Sequence, residues 1–338
     1  MKPFPNTKHT FSRLFEMNQG MFYSKLLHEA IVLGIFNHLE QETTSPEVAR
    51  SLETHPGNTE YFMDGLVSIG LVEKNGGKYQ NAGISQEYLV KGSETYLGDY
   101  LLYHDQWNTP LLENMGQVLR DGPPDQVKGA DDEAIWAQGA SAMANFQRAC
   151  TGPFLSGIVS DLPESGSFRR MLDLGGGPGL NALAILTGHP GMGGILFDRP
   201  AVVRVAREYI QEYNMEQRLE VMEGDFRTDS LGDGYDLVLA SACLNFAKEE
   251  MVPMVKKIYN ALNPGGVFVS IHDGLTHGRT RPESIAISWL PVSMMWQNLG
   301  LDRGVIAGAM AKAGFRTVSS RTVSYGFGAM DLDIGRKE

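Results

Sequence analysis

The apolar positions in the second half of the chain fall into short runs separated by helical patterns. One of these helices spans about residues 249 to 262 and is followed by the turn-forming residues 263–266, Asn-Pro-Gly-Gly. A short apolar run between helices is typical of a buried parallel strand. The pattern therefore predicts an α/β sheet. Its five predicted strands are residues 171–174, 194–197, 219–222, 235–240 and 267–271.

The turn after the first predicted strand is rich in glycine. Gly175, Gly177 and Gly179 follow that strand and precede a helical pattern. Glycine tolerates positive φ and lets the backbone approach a ligand closely, and the helix behind it offers free amide groups. Such a turn alone is not specific, because it serves NAD, FAD, S-adenosylmethionine and many αβ proteins without a ligand.

Acidic residues follow the next two predicted strands. Asp198 ends the second strand, 25 residues after Asp173, where a βαβ unit places an acid beside the ribose hydroxyls of a nucleoside. Asp225 and Phe226 follow the third strand. This acid can accept a hydrogen bond from an adenine amino group, and the ring can lie against the base. Together these residues predict a nucleoside-binding site at the carboxyl edge of the sheet.

Six motifs occur in order and at matching spacing: LDLGGGPG, LFDRPAVV, EGDF, YDLVLAS, ALNPGGVFVSIHD and AKAGF. Together they resemble the S-adenosylmethionine-dependent small-molecule O-methyltransferases, the class that contains caffeate-type plant enzymes, acetylserotonin methyltransferase and bacterial antibiotic-tailoring enzymes. The resemblance covers nearly the whole chain. It implies a Rossmann-like, seven-stranded class I methyltransferase domain preceded by an N-terminal helical, winged-helix-like dimerisation domain.

The resemblance also implies domain limits, a cofactor and its binding residues. We place the dimerisation domain at residues 1–100, a helical linker that forms part of the substrate pocket at 101–155, and the methyltransferase domain at 156–338. The implied cofactor is S-adenosyl-L-methionine, and no metal site is expected. The residues assigned to cofactor binding are Asp173, Gly175, Gly177, Gly179, Asp198, Arg199, Asp225, Phe226 and Ser241.

The position of the usual general base is altered in this chain. Methyl transfer from a sulfonium is an in-line displacement, so the protein mainly aligns the acceptor and excludes water, but a phenol acceptor still benefits from a base. In the plant-like members that base is a His shortly after the fourth strand. Aligning Glu249 and Glu250 with the paired acids that follow this His places Leu244 at the His and Asn245 at the neighbouring Asp. The usual base is therefore missing.

Two hypotheses account for the missing base. Either another residue serves, with His104 and His272 as the candidates, or the acceptor needs no base. Asp302 and Asp331 fall near family acids that flank the catalytic His, but Leu244 offers them no imidazole to orient. We expect a methyltransferase that acts on a small, flat acceptor with an aromatic hydroxyl. The alternatives are an S- or N-methyltransferase acting on an acidic acceptor, or a donor-binding protein that no longer transfers methyl.

Aromatic and methionine side chains are concentrated in the two segments that form the acceptor pocket in the resembling family. The first segment, residues 97–150, is predicted to be largely helical with a break at 122–124, and the second follows the fifth strand. Met and Trp side chains present broad apolar faces to flat ligands. The predicted substrate contacts are Tyr103, His104, Trp107, Met143, Phe146, Asn245, Met294, Met295 and Asn298.

The N-terminal region predicts a self-association domain. Residues 11–40 read as helical and carry more aromatic and aliphatic side chains than a small domain hides alone, which favours a homodimer. Helices starting at Ser45 and at Asn58 or Thr59 precede a hairpin, which makes a winged-helix pattern. The second of these helices carries Glu60 and Asp64 but no Lys or Arg, so we expect no nucleic-acid binding.

Composition narrows the remaining possibilities. The 338 residues are 42% hydrophobic, which is enough for two cores, and the net charge of −11 argues against general affinity for nucleic acid or acidic membranes. The two cysteines, Cys150 and Cys243, suit a reducing compartment. No apolar run reaches the roughly 18 residues of a membrane span, and the first 20 residues do not resemble a signal peptide. We therefore expect a cytoplasmic protein without a membrane partner.

Overall fold

The structure, a computed structural model, describes residues 4–124, 132–326 and 328–338. The chain forms two compact units whose boundary lies between Leu102 and Tyr103. Within the described ranges, no helix is both long enough and apolar enough to cross a membrane.

The N-terminal unit is mainly helical and carries a small sheet. The order of its strands is β1-β3-β2, with antiparallel pairing throughout. The predicted hairpin is present, with positive φ at Gly76 and Gly77, as a tight type I′ turn requires. A single turn of 3₁₀ helix covers Ile35–His38. The elements are α1 (Ser12–Leu33), β1 (Thr43–Thr44), α2 (Ser45–Ser51), α3 (Pro56–Ser68), β2 (Val72–Asn75), β3 (Lys78–Asn81) and α4 (Gly83–Tyr88).

Two helix starts differ from the predicted ones. The N-cap of α2 is Thr44 rather than Ser45, because Thr44 and Glu47 form a reciprocal capping box. Helix α3 begins at Pro56, two or three residues before the predicted start, and the ring of His55 accepts a hydrogen bond from the amide of Asn58. Local capping bonds therefore set both boundaries.

The two halves of α1 have different surroundings. Ala30 and Ile31, near its end, are buried in the core of the N-terminal unit. The first half instead leaves large apolar side chains in contact with solvent. The exposed apolar face of α1 consists of Leu14, Phe15, Met17, Met21, Phe22 and Tyr23.

Helix α5 (Gly98–Asp121) begins in the N-terminal unit and continues into the second unit. Helix α6 (Glu133–Phe146) follows, and the chain continues through a π-helical segment, Gln147–Thr151. The predicted helical character of residues 97–150 is confirmed for the described residues, and residues 125–131 lie outside them.

The second unit is built around a seven-stranded sheet with the order β6-β5-β4-β7-β8-β10-β9. The first five of these strands are parallel, and β10 pairs antiparallel with both of its neighbours. The predicted α/β class is confirmed, as are all five predicted strands. The strands are β4 (Arg170–Leu174), β5 (Gly193–Asp198), β6 (Leu219–Glu223), β7 (Tyr235–Ser241), β8 (Leu262–Asp273), β9 (Thr317–Tyr325) and β10 (Gly328–Arg336).

Helices cover both faces of this sheet. Successive strand residues point to opposite faces, so Met171 joins one apolar cluster and Leu172 joins the other. A 3₁₀ segment spans Leu244–Glu250. The helices after the π-helical segment are α7 (Gly152–Ser160), α8 (Leu180–Gly188), α9 (Pro200–Glu212), α10 (Met251–Ala261), α11 (Glu283–Ser288), α12 (Leu290–Met295) and α13 (Val305–Ala313).

The turn predicted at residues 263–266 lies inside β8 instead of before it. The pairing of β7 with β8 jumps from Tyr235 opposite Leu262 to Leu237 opposite Val267, so the intervening residues bulge out of register. Gly265 there has a φ of 77°. Helix α10 ends at Ala261, close to the predicted end, but its C-cap is Leu262 in an extended conformation, so the glycines follow the helix end inside the strand and do not form it.

Strand order decides where the candidate site lies. Strands β5, β4 and β7 are neighbours and run parallel, so their carboxyl ends meet at one edge of the sheet. That edge brings together the glycine turn after β4, Asp198 at the end of β5 and Ser241 at the end of β7.

Candidate functional site

The glycine turn after β4 adopts a conformation that requires glycine. Gly175 has a φ of 62°, and a Cβ on it would lie 2.6 Å from the Cβ of Cys243. Gly179, with a φ of 87°, is the N-cap of α8. The turn therefore packs closely against the end of β7 and directs the first amide groups of α8 toward the carboxyl edge of the sheet.

Asp198 is held by two backbone amides. The amide of Gly177 donates to its Oδ2 over 2.8 Å, and the amide of Arg199 donates to its Oδ1 over 2.7 Å. Burial raises the pKa of Asp198 to about 6, although these two hydrogen bonds oppose the shift. A carboxylate oriented in this way can accept hydrogen bonds from a pair of vicinal hydroxyls.

Asp173 lies beneath the same turn and is buried. A Cβ on Gly176 would lie 2.7 Å from its Oδ2. Burial raises the pKa of Asp173 to about 7, and the nearby charge of Asp198 adds to the shift. The amide of Ala182 opposes it only in part, and neither carboxylate oxygen meets hydrogen-bond geometry with a group in the described ranges. A buried acid without a full set of partners fits a cationic ligand.

The adenine side is less open than predicted. Phe226 lies beside the turn, with its Cε1 3.7 Å from a Cβ built on Gly175. The carboxylate of Asp225 is bound by the guanidinium of Arg227 at 2.7 Å, and this hydrogen bond lowers the pKa of Asp225. A hydrogen bond from adenine to Asp225 would therefore share that acid with Arg227.

The side chain of Arg199 points to helix α6. Its Nε donates to Glu133 over 2.9 Å, and its guanidinium lies 5.3 Å from the centre of the Trp136 ring. At the end of β7, the hydroxyl of Ser241 lies 3.0 Å from that of Tyr325. Burial raises the pKa of Tyr325 to about 12, so the phenol stays protonated at neutral pH and can donate a hydrogen bond.

Both ring nitrogens of His272 are engaged. Its Nε2 lies 2.9 Å from Oδ2 of Asp333 and its Nδ1 lies 2.6 Å from the carbonyl oxygen of Asp273. The imidazole is buried. Burial acts to lower the pKa of His272, but the hydrogen bond and charge of Asp333 outweigh it, so the pKa is raised. This arrangement leaves no ring nitrogen for an acceptor, which argues against His272 as the base.

The altered base position is closed. Leu244 is buried, and Nδ2 of Asn245 donates to Oδ1 of Asp273 over 2.8 Å and to the carbonyl oxygen of Leu299 over 2.9 Å. Asn298 is exposed and accepts a hydrogen bond from Lys248 through its carbonyl oxygen. Asn245 therefore orders the chain after α12, and its Oδ1 lacks a partner among the described residues.

The family acids form ion pairs here. The carboxylate of Asp302 makes two hydrogen bonds of 2.9 Å with Arg279. Asp331 is buried and pairs with Arg303, with 3.3 Å between the two groups. These arginines, rather than an imidazole, are oriented by the two acids.

His104 and its neighbours form a group of aromatic rings on α5. The Tyr103 ring meets the rings of His104 and Trp107 edge to face, each at a centroid distance of 6.1 Å. His104 is exposed, yet desolvation by surrounding side chains still lowers its pKa from 6.5. A neutral imidazole at this position can accept a proton near neutral pH.

The remaining predicted substrate contacts differ in how deeply their side chains are buried. Phe146 is buried and packs at Gly326, whereas Met143 and Met294 are half-buried. Met295 lines an open cleft of about 400 Å³ together with Pro110 and other residues of the second half of α5 and with residues 122–124, which follow the helix. Buried Phe146 therefore belongs to the core, and the methionines remain available to a ligand.

Sequence reasoning missed three residues that border this site: Glu133, Gln147 and Tyr325. The Trp136 ring meets the Phe246 ring edge to face at 5.3 Å. Trp136 belongs to the aromatic group of residues 97–150 that is predicted to form the acceptor side, but nothing in the local pattern ties the other three residues to the glycine turn or to Asp198. Their partners are remote in sequence, as with Glu133 and Arg199, 66 positions apart.

Two family models match this chain: an O-methyltransferase domain over residues 128–316 and an O-methyltransferase dimerisation domain over residues 15–91. The N,N-dimethyltransferase OxyT of Streptomyces rimosus is 27% identical, over 81% of this chain and 86% of OxyT. Acetylserotonin O-methyltransferase of Bos taurus is also 27% identical, over 97% of this chain and 98% of the relative. The crystal structure of human N-acetylserotonin methyltransferase in complex with S-adenosylmethionine matches with a TM-score of 0.78 and 25% identity, covering 99% of each chain.

Proposed function

Because the chain belongs to the O-methyltransferase family and is an S-adenosylmethionine-dependent methyltransferase, we propose that it methylates a hydroxyl oxygen of a small, flat, aromatic acceptor. The observation that supports this acceptor class is the set of aromatic and methionine side chains in the second unit. The rings of Tyr103 and Trp107 on α5 meet edge to face, the Trp136 ring on α6 meets the Phe246 ring after β7, and Met143 and Met294 are half-buried. Such surfaces favour flat, apolar ligands.

The donor fits the residues at the carboxyl edge of the sheet. Asp198 would accept hydrogen bonds from the ribose hydroxyls, and Asp173 would face the cationic amino acid part of the donor. When bound, S-adenosylmethionine supplies an activated methyl group. The protein holds the donor through the glycine turn, excludes water and aligns the acceptor oxygen. His104 would remove the acceptor proton, since both nitrogens of His272 are engaged.

Methyl transfer to nitrogen is the second candidate function. It is favoured by the similarity to OxyT, whose name specifies an N,N-dimethyltransferase, and by the buried Leu244 at the usual base position. An amine acceptor that is neutral at the working pH attacks without prior loss of a proton. The two functions therefore differ in their need for His104.

Incubation with a radiolabelled methyl donor and matched phenols, arylamines, thiols and azoles distinguishes these functions. The proposed function predicts product with phenols, and little with amines of the same shape. Product from amines alone would favour the second candidate. Tight donor binding without product from any acceptor would instead indicate a protein that no longer transfers methyl. Asp198→Ala serves as the control for donor-dependent labelling.

We further propose a homodimer formed through the exposed apolar face of α1, all of which except Leu14 lies within the match to the dimerisation domain. Phe15→Asp and Phe22→Asp should each convert the dimer to a monomer, because a charge on this face cannot be buried without a partner. Sedimentation of both variants checks this. The control is Leu119→Asp, which places the same charge at an exposed apolar position on α5. A wild-type protein that is monomeric at all concentrations would refute the dimer.

We propose that the winged-helix pattern of the N-terminal unit serves assembly of the dimer and not DNA binding. The carboxylate of Asp64 on α3 accepts hydrogen bonds from Lys74 at 2.6 Å and from Tyr79 at 2.7 Å. The helix that would read DNA is thus acidic, and its acid is tied to the hairpin. A salt-sensitive gel shift with random duplex DNA would contradict this reading.

A further inference from the structure

The helix that leads from the acceptor side of the second unit to the donor site is interrupted by one π-helical turn. Helix α6 ends at Phe146, the π turn covers Gln147–Thr151, and α7 begins at Gly152. A π turn costs stability relative to a continuous α-helix and is frequently retained at functional sites. Here it directs two polar side chains, Gln147 and Thr151, to the glycine turn and the start of α8.

Gln147 makes one hydrogen bond to the glycine turn and one to the first turn of α8. Its Nε2 donates to the carbonyl oxygen of Gly176 over 3.1 Å, and its Oε1 accepts from the amide of Asn181 over 3.2 Å. The side chain is only 5% exposed. The hydroxyl of Thr151 donates to Oδ1 of Asn181 over 2.6 Å. A single buried amide therefore fixes the spacing between the glycine turn and the helix N-terminus behind it.

The opposite end of α6 is attached to the other loop of the donor site. The carboxylate of Glu133 accepts from Nε of Arg199 and from the amide of Ala201, both over 2.9 Å. Arg199 directly follows Asp198 and donates its own amide to the Asp198 carboxylate. Helix α6 is thus anchored to the turn after β4 and to the loop after β5, and Met143 lies on the helix between these anchors.

We propose that Gln147 is a positioning residue that holds the glycine turn in its donor-binding conformation and links this turn to the acceptor wall on α6. The amide is suited to this task because it donates and accepts at once, which no carboxylate or apolar side chain of that size does. The donor part of this inference rests on donor binding alone. The link to the acceptor rests on the proposed function.

Calorimetric titration with S-adenosylhomocysteine tests the donor part without any acceptor. Gln147→Leu should weaken binding about tenfold or more, because it leaves the Gly176 carbonyl and the Asn181 amide unpaired. In transfer assays the same variant should raise the KM for the donor while leaving kcat at saturating donor within about twofold. Gln211→Leu, on the exposed surface of α9, is the matched control.

A second variant separates positioning from general damage to the fold. Gln147→Glu keeps the acceptor for the Asn181 amide but, when ionised, cannot donate to the Gly176 carbonyl. Protonation restores that donor, so the affinity ratio of wild type to this variant should shrink as the pH falls, while the ratio for Gln147→Leu should not. Folding of each variant is followed by thermal unfolding.

Two results would overturn the proposal. The first is a folded Gln147→Leu that binds S-adenosylhomocysteine as wild type does. The second is a Gln147→Glu whose affinity ratio does not respond to pH, a result that remains readable if the leucine variant fails to fold. Absence of methyl transfer to every acceptor would contradict the proposed function only, because the titrations need no acceptor.

Discussion

The amide of Gly177 donates to Oδ2 of Asp198 across 2.8 Å, joining the loops that follow two neighbouring parallel strands. One carboxylate therefore has two tasks. It holds the glycine turn in place through the hydrogen bond from the amide of Gly177, and its remaining lone pairs are available to the ligand. Loss of this acid should affect the shape of the donor site as well as the contact with the ribose.

Asp198→Ala should weaken donor binding by about 1.5–3 kcal/mol, the range for hydrogen bonds to a charged group. Asp198→Asn should cost less, because its carbonyl oxygen still accepts from Gly177. Calorimetry with S-adenosylhomocysteine measures both. Asp161→Ala, an exposed acid at the end of α7, should bind as wild type does. Equal affinity of Asp198→Ala and wild type would remove Asp198 from the site.

Donor binding should release protons near neutral pH. Burial and the charge of Asp198 raise the pKa of Asp173 to about 7, and a cationic donor favours its ionised form. Affinity should therefore rise as the pH increases through 7. Titration heats in two buffers of different ionisation enthalpy give the number of protons released. Asp173→Asn should release fewer, and an identical count in this variant would contradict the assignment.

The same acid affects the stability of the protein without donor. Its folded pKa lies above the ordinary 3.8, so its contribution is fully present below that value and is lost as the pH rises through about 7. Asp198, raised to about 6, acts in the same direction. Urea unfolding without ligand should show less of this decline in Asp173→Asn, and saturating S-adenosylhomocysteine should restore stability at higher pH.

The pair of His272 and Asp333 should stabilise the fold rather than catalyse. Because the folded pKa of His272 is raised, its contribution is fully present below 6.5 and is lost as the pH rises through the raised value. His272→Ala should lower the free energy of unfolding by about 3–5 kcal/mol, since the buried Asp333 loses its ion-pair partner and keeps only the hydrogen bond from the amide of Ala307. Asp333→Asn should remove this pH dependence, because burial without that charge favours the neutral ring.

Denaturant unfolding at several pH values measures these effects, and methyl transfer by folded His272 variants provides the comparison. Loss of transfer in a variant that remains folded and binds the donor normally would return His272 to the catalytic candidates.

His104→Ala should reduce kcat by about 10²-fold if this residue is the base, with donor affinity nearly unchanged. The pH–rate profile should lose its acidic limb, which should lie below 6.5 in wild type because desolvation lowers the pKa of His104. Steady-state rates across the pH range with a phenol acceptor test this. Gln106→Ala, on the exposed surface of α5, is the control. An unchanged profile would indicate an acceptor that ionises unaided.

The predictable part of the fold was the part with a strong apolar signal. Strands β4, β5 and β7 are buried on both faces and read as continuous apolar runs. Strand β9 was not apparent from its residues because most of its side chains are exposed at the sheet edge. Its presence followed only from the family resemblance, which implied seven strands.

The candidate site, like the fold, has residues that the sequence makes predictable and residues that it does not. Gly175 and Asp198 were identifiable because turn chemistry and the βαβ unit fix their positions locally. His272 was selected because it ends a strand, but its partner Asp333 comes 61 residues later and occupies one of its nitrogens. Gln147 carried no local signal, since its hydrogen bonds depend on how α6 packs on the sheet. Polar contacts between remote segments are set by tertiary packing.

Strand β10 lies between β8 and β9, although it follows both in the chain. As synthesis proceeds from the N-terminus, the outer edge of β8 keeps unpaired amides and carbonyls until residues 328–336 leave the ribosome. During that interval, Asp333 has not yet reached His272. The seven-stranded sheet is thus completed only once β10 has been translated, and until then the nascent chain exposes the edge of the apolar strand β8, which chaperones would need to shield.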